Sequence, residues 1–207
     1  GCEVDGNSVT VTPKKAPTFT ITSDQENEAM AVCSGLPIKL TATATNASDS
    51  VKWESQDANE GSSSYTTQFS TSNTTTQKYK VTVSDGTCQA ESFVEVTYYP
   101  NPVLAIPGEH AFCEGESTTL TAISTNGATM KSFQWYDGEK NPIVGETKEQ
   151  ILITQGGVYH VSGIDANNCQ SDTVASRIVV VQAKPTVTDP TAGNACIGEE
   201  VQLSVNN

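Results

Sequence analysis

The feature that most constrains this chain is an internal repeat with a period of about 80 residues, the size of a small β domain. Three segments align without gaps, beginning at Cys33, Cys113 and Cys196. Each has Gly two positions after the cysteine and Leu seven positions after it. Five, seven and nine positions after Cys33 the residues are apolar, and those between them are polar. Because side chains alternate across a strand, this period of two predicts a half-buried β-strand.

The rest of each complete copy contains one Trp, one Tyr on an alternating segment, a turn rich in Asp, Gly and Asn, and a second cysteine. These residues are Trp53, Tyr79 and Cys88 in one copy, and Trp135, Tyr159 and Cys169 in the other. The turn residues tolerate the positive φ that tight hairpins need. Short strands and turns at this spacing predict an all-β fold: tandem immunoglobulin-like (Ig-like) β-sandwich domains in an elongated array.

The four aromatic residues, Trp53, Tyr79, Trp135 and Tyr159, are expected to fill the cores of these sandwiches. The alternative is a platform that stacks on sugars, which requires aromatic rings exposed together on one face. The alternation of the segments argues against such a platform.

The repeat also predicts the domain boundaries. Residues 17–100 and 101–184 are expected to be complete Ig-like repeats. Residues 1–16 then correspond to the last strand of a preceding repeat, and residues 185–207 to the first strands of a following one. On this interpretation the sequence is a window on a longer tandem array.

The six cysteines include no Cys-x-x-Cys pair, which favours disulfides over a metal knuckle and an oxidising compartment outside the cytoplasm. In an Ig-like topology the first and second cysteines of a repeat lie at opposite poles, about 25 Å apart. A disulfide requires Cα atoms within about 7 Å. We therefore expect an interdomain bond between Cys33 of one repeat and Cys169 of the next.

The other four cysteines would then pair with partners outside this chain: Cys2, Cys88, Cys113 and Cys196. Two alternatives stay open at this point. The disulfides could instead form inside each repeat, as Cys33–Cys88 and Cys113–Cys169, through a modified topology. The thiols could also be free or differently paired.

Enzyme chemistry finds no support in the sequence. It has no nucleophile elbow, no phosphate-binding glycine loop and no zinc-binding helix motif. His110 and His160 have no partner at ligand spacing and are expected to be solvated. The carboxylate pair Glu114/Glu116 recurs as Glu199/Glu200, which predicts an exposed turn. An alternative role for these acidic residues is to bind calcium at the turns between repeats. The sequence has no Asp-x-Asp-x-Asp-Gly loop to support it. We expect no catalysis, cofactor or metal.

The formal net charge of −13 restricts the partners. A nucleic-acid binder needs a Lys/Arg surface against phosphate, and anionic membranes repel so acidic a chain. No apolar run approaches the roughly 18 residues of a membrane helix. We therefore expect that this chain neither binds nucleic acid nor inserts into a membrane.

Together, the Cys-x-Gly before a strand, the single Trp, the element Gly157-Val-Tyr159-His-Val161 and the Cys before the last strand resemble a known family. It is the Ig-like/PKD-like repeats of giant cell-surface adhesins of Bacteroidota, including those of gliding motility. The resemblance implies type IX secretion, an extracellular location at the cell surface, and a structural stalk whose partners are the adjacent repeats. The first copy departs from it, with Gln77-Lys-Tyr79.

Two other expectations accompany this resemblance. The tripeptides Asp49-Ser50-Val51 and Asp172-Thr173-Val174 fit the Asp-Ser/Thr-apolar pattern of O-glycosylation in Bacteroidota, which makes Ser50 and Thr173 candidate sites. The alternative function is a module that binds a surface glycan or protein through residues 54–77 or Tyr98-Tyr99. A third class, an accessory domain of a secreted hydrolase, also stays open.

Overall fold

The computed structural model describes residues 12–54, 63–171 and 175–186. Over these residues the chain folds into β-strands, with one short 3₁₀ turn at Glu26–Glu28. It divides into two compact units, and the second begins at Pro102. The short segment Asn167–Cys169 groups with the first unit.

The first unit contains seven strands arranged in two sheets. They are β1 (Phe19–Ser23), β2 (Ala31–Cys33), β3 (Pro37–Ala44), β4 (Ser50–Glu54), β5 (Ser64–Gln68), β6 (Thr75–Ser84) and β7 (Gln89–Tyr99). One sheet has the order β1-β3-β5, and the other has the order β2-β7-β6-β4. All neighbours are antiparallel except β2 and β7, which are parallel. Two facing sheets of this kind form an Ig-like sandwich.

The core of the first unit follows directly from the period of two. On β6 the buried side chains are Tyr79, Val81 and Val83, and the residues between them are partly exposed. The other strands supply inward residues in the same way, and Trp53 on β4 is buried among them. Because β-branched and aromatic side chains fit a pleated surface packed on one face, the local sequence and the burial pattern agree.

The second unit repeats this plan with shorter strands. They are β8 (Leu104–Ala105), β9 (His110–Cys113), β10 (Thr118–Thr121), β11 (Ile123–Ser124), β12 (Met130–Tyr136), β13 (Gln150–Ile153), β14 (Gly157–Asp165) and β15 (Ala175–Gln182). A four-stranded sheet has the order β12-β14-β15-β9, while β8 pairs with β11 and β10 with β13. Strands β15 and β9 are parallel. Trp135 is fully buried at the centre of this second core.

The two units match in register as well as in strand order. Cys33 at the end of β2 lies opposite Tyr99, and Cys113 at the end of β9 lies opposite Gln182. Tyr79 and Tyr159 occupy the same inward position on β6 and β14. The sequence repeat is therefore a structural repeat over the residues that the structure describes.

The hairpin between β6 and β7 is held by one carboxylate. Asp85 Oδ1 accepts hydrogen bonds from the backbone N–H groups of Thr87 and Cys88, both at 2.9 Å. Its other oxygen lies 2.9 Å from Lys14 Nζ. The N–H of Cys88, followed by the Lys14 ammonium, lowers the pKa of Asp85 to about 2.

We predict that this carboxylate makes the fold sensitive to acid. A pKa lowered in the folded state gives stability that is present above the unfolded value, about 4. That stability is lost as the pH falls towards about 2. The difference in free energy of unfolding between wild type and Asp85→Asn should therefore shrink as the pH falls from 4 to 2, as denaturant unfolding at a series of pH values would measure.

The Lys14→Ala variant is the matched control for this prediction. It removes the ion pair and keeps the backbone donors, so the pKa of Asp85 should rise only part of the way to its ordinary value. NMR titration of the carboxyl group reports this directly. An Asp85 that titrates at the ordinary value in wild type would contradict the assignment.

Candidate functional site

One covalent cross-link is present among the described residues. Cys33 and Cys169 form a disulfide with an S–S distance of 2.08 Å and a Cα–Cα distance of 5.5 Å, and they are separated by 136 positions in sequence. This is the pair that the strand directions predict, and it excludes both the Cys33–Cys88 and the Cys113–Cys169 bonds. Cys169 belongs to the sequence repeat 101–184, and the short segment Asn167–Cys169 groups with the first compact unit.

The other cysteines do not meet in the described part of the chain. Cys88 and Cys113 are free thiols, both half-buried. Cys88 Sγ lies 3.7 Å from the carbonyl oxygen of Lys14, and Cys113 ends β9. Cys2 and Cys196 lie outside the described residues.

The Cys-x-Gly motif has a local structural cause. After Cys33 the chain turns sharply: the N–H of Leu36 donates to the carbonyl of Cys33 at 3.1 Å, and Gly35 has φ +76°. The second unit has the same turn, in which Glu116 N–H donates to Cys113 O at 2.9 Å and Gly115 has φ +85°. Positive φ favours glycine at this position. The motif therefore places Cys33 and Cys113 at the ends of short strands.

The sequence-predicted aromatic residues lie in or against the two cores. Trp53 and Trp135 are buried, and each indole N–H donates to a backbone carbonyl: that of Ser63 at 3.3 Å and that of Lys148 at 2.8 Å, respectively. Tyr79 is buried. Tyr159 is half-buried against the second core, and its hydroxyl donates to the Gln155 carbonyl at 3.0 Å.

A hydroxyl cluster in the first core was not predicted from the sequence. Tyr79 OH lies 2.9 Å from Thr67 Oγ1 and 3.0 Å from Tyr98 OH. Tyr98 is fully buried, and burial raises its pKa. The alternation along β7 carries the signal, because Val94, Val96 and Tyr98 share one face.

The burial of Tyr98 changes the expectation for the Tyr98-Tyr99 pair. The sequence suggested a binding surface at this pair. Tyr98 lies instead in the core of the first unit, so its ring offers no surface to a ligand. Tyr99, which points the other way on the strand, is half-buried.

The region 54–77, suggested as a contact surface, is described except for residues 55–62. Tyr65 and Phe69 pack against the first core. The Tyr65 ring centroid lies 6.0 Å from that of Trp53, and the Phe69 centroid lies 5.4 Å from that of Tyr98. These two rings therefore pack against the interior of the first unit.

The remaining candidate residues are the two histidines and the two candidate glycosylation sites. The His110 ring is half-buried and forms a 3.0 Å hydrogen bond with the Pro107 carbonyl, and His160 is also half-buried. Ser50 is exposed, and its hydroxyl donates to the Ser84 carbonyl at 3.2 Å. Thr173 lies outside the described residues.

Two searches of the described residues gave negative results. No group of three or more His, Cys, Asp or Glu side chains there is placed to hold a metal ion. No helix in that part of the chain is long and apolar enough to cross a membrane.

Comparison with known proteins agrees with the strand topology. Residues 100–182 match the family model described as "Ig-like domain CHU_C associated". The search of curated proteins gives no match. The family match supports an Ig-like repeat at these positions.

Solved structures also match this chain at low identity. Fibronectin(III)-like modules of Clostridium thermocellum CbhA share 11% identity over 78% of this chain and 95% of theirs, with a TM-score of 0.41. Three N-terminal domains of the bacteriophage RB49 outer capsid protein Hoc share 20% identity with this chain. The match covers 92% of this chain and 69% of theirs, with a TM-score of 0.41. The four N-terminal Ig domains of Dscam1 isoform 1.9 share 13% identity, with a TM-score of 0.32. This match covers 73% of this chain and 43% of theirs, which is less than half.

We predict that the hydroxyl cluster contributes measurably to the first core. Tyr98→Phe removes the hydroxyl that bonds Tyr79, while the bond between Thr67 and Tyr79 can persist. The free energy of unfolding should therefore fall by about 1 kcal/mol, as measured by denaturant unfolding. Tyr99→Phe is the control and should change stability by no more than about 0.5 kcal/mol. Equal stability of Tyr98→Phe and wild type would contradict a role for the cluster.

The sheet order, the register and the family match at residues 100–182 agree. Ig-like domains are structural or binding modules and are typically not catalytic. The chain is an all-β protein with an Ig-like sandwich fold.

Proposed function

We propose that this chain is a structural stalk segment of a long cell-surface adhesin filament, without catalysis, in which disulfides staple neighbouring Ig-like repeats. The observation that carries the proposal is the Cys33–Cys169 disulfide. Its two cysteines come from the sequence repeats 17–100 and 101–184. A covalent bond between successive repeats restricts their relative motion, which suits a spacer.

The equivalent positions of the free cysteines support the same proposal. Cys113 ends β9 as Cys33 ends β2, and Cys88 follows the β6 hairpin as Cys169 follows β14. If the bonding rule repeats along an array, Cys88 pairs with a cysteine of the preceding repeat and Cys113 with one of the following repeat. Cys2 and Cys196 take the corresponding roles at the two ends. The partners of this segment are then adjacent repeats of the same long chain.

The charge is consistent with a filament outside the cell. A net charge of −13 keeps such a chain soluble and makes most of its surface repel a second copy. The disulfide indicates an oxidising compartment. Export by the type IX route and a part in gliding motility follow from the resemblance to adhesins of Bacteroidota, and both belong to this proposal.

The first test removes the disulfide. The double variant Cys33→Ser/Cys169→Ser should lose about 2–4 kcal/mol of unfolding free energy, the usual contribution of a native disulfide. Small-angle scattering should show a broader distribution of dimensions than the oxidised wild type, because the two repeats become free to move.

The matched control is Cys88→Ser/Cys113→Ser, which removes two half-buried thiols and leaves the bond intact. Its scattering profile should equal that of wild type. A double variant of the bonded pair with unchanged dimensions would contradict a stiffening role. Disulfide mapping on protein taken from its native surface tests the wider rule: Cys88 and Cys113 should appear in cross-linked peptides.

Ligand screening distinguishes the alternative function, a binding module, from a structural spacer. A spacer should give no hits on a glycan array, whereas a module that binds a surface glycan should give reproducible ones. The burial of Tyr98 and the inward rings of Tyr65 and Phe69 reduce the aromatic surface available for such binding.

Glycosylation at Ser50 and Thr173 also belongs to this proposal. Ser50 is exposed at the start of β4, so its hydroxyl is accessible to a transferase. Protein from the native organism should have an intact mass above that of the polypeptide, and Ser50→Ala should remove one glycan mass. A mass equal to the bare polypeptide would exclude this modification.

A further inference from the structure

The outward face of the β12-β14-β15-β9 sheet differs from the rest of this acidic chain. The outward residues of the two central strands are Val158, His160, Ser162, Ile164, Ser176, Ile178, Val180 and Gln182. Strands β12 and β9 add Ser132, Gln134, Tyr136, Ala111 and Cys113. None of these described residues is Asp, Glu, Lys or Arg.

Apolar side chains form the centre of this face. Ile178 is 65% exposed, Val180 51% and Val158 37%. Val158 and Ile178 lie directly opposite each other on β14 and β15. In register, Val180 of β15 lies opposite Ala111 of β9. The four residues therefore make a continuous patch across three strands.

The equivalent face of the first unit carries charged side chains where the second unit has apolar ones. Tyr79 and Tyr159 are equivalent, so Lys78 corresponds to Val158, and its cross-strand partner Glu95 corresponds to Ile178. Lys78 Nζ and Glu95 Oε1 form an ion pair at 2.9 Å. Lys80 is similarly bonded to Glu54 and Glu91. An ion pair on one unit is thus an exposed apolar pair on the other.

This contrast limits what can cover the uncharged face. Two copies of a chain with a net charge of −13 repel each other over most of their surfaces. Contact through the outward residues named above brings no like formal charges together. Charged residues border the face: Lys131 is exposed at the register shift of β12, and others lie in the 137–141 turn, where Gly138 packs against Val158. An apolar centre with a polar rim is the usual composition of a protein interface.

The size of the face sets the strength of such contact. Four strands about 4.8 Å apart and about five residues long cover roughly 300 Å². A stable interface buries about 800 Å² on each partner. The face is therefore suited to weak, reversible association.

We propose that the outward face of the β12-β14-β15-β9 sheet is a self-association surface, through which two copies of this chain pair side by side. A face that contacts its own copy about a two-fold axis is self-complementary. In the stalk proposed above, many tethered copies would supply the millimolar effective concentration at which so weak a contact is populated. Only this biological role rests on the proposed function, because pairing itself is measured on the isolated chain.

Sedimentation equilibrium on the full 207-residue chain tests the proposal. We expect concentration-dependent dimerisation that strengthens at least threefold between about 0.05 M and 0.5 M NaCl, since salt screens the repulsion between acidic copies. The decisive variant is Val158→Lys/Ile178→Glu. It introduces the charged pair of the first unit at equivalent positions and leaves the net charge unchanged, and it should lower the association constant at least tenfold.

The matched control is Phe93→Ser on the first unit. Phe93 is 63% exposed on β7, and Ser176 occupies the equivalent position of the second unit. This variant also removes an exposed apolar side chain without changing the charge, and it should dimerise like wild type. Thermal unfolding shows that both variants remain folded.

Three results would overturn the proposal. The wild-type chain could stay monomeric up to about 1 mM at both salt concentrations. The variant Val158→Lys/Ile178→Glu could dimerise as strongly as wild type, or Phe93→Ser could weaken dimerisation equally. A monomeric chain would assign the face to a different partner. None of these results bears on the disulfide variants that test the stalk.

Discussion

The burial of one side of each strand between two sheets is the constraint on which the rest of this structure depends. A domain of about 80 residues has a small core, so nearly every inward position must be filled well. One Trp in each unit fills the centre, and its indole N–H is bonded to a backbone carbonyl. That bond matters because a buried donor without a partner costs free energy. The other core residues lie at every second position along the strands.

Because the cores fix only the inward residues, the outward residues are free to differ between units. The first unit has Lys–Glu pairs across its outer sheet, while the second has Val158, Ile178 and Val180 at related positions. The same scaffold thus presents a charged surface in one repeat and an uncharged one in the next. Differences between repeats that share a fold are best sought on these faces and not in the cores.

The disulfide shows how local and distant information combine. The Cys-x-Gly turn is local: a positive-φ glycine and one hydrogen bond place Cys33 at the end of β2. The bond to Cys169 joins positions 136 residues apart. Strand direction alone suggested this pair, because the two cysteines of one repeat lie at opposite poles. The bond uses one cysteine of each repeat, so neither repeat can form its internal pair.

The sequence by itself determined the strands, the turns and the repeated core, because these depend on periods of two and on single residues such as glycine. Tertiary structure alone decided which group the Tyr98 hydroxyl meets. The alternation along β7 places its ring in the first core, and the pairing with β6 brings its hydroxyl to that of Tyr79. Tertiary structure also decided that Val158 and Ile178 meet in an uncharged face. Both outcomes depend on the register between consecutive strands, because register decides which side chains of the two strands lie opposite each other.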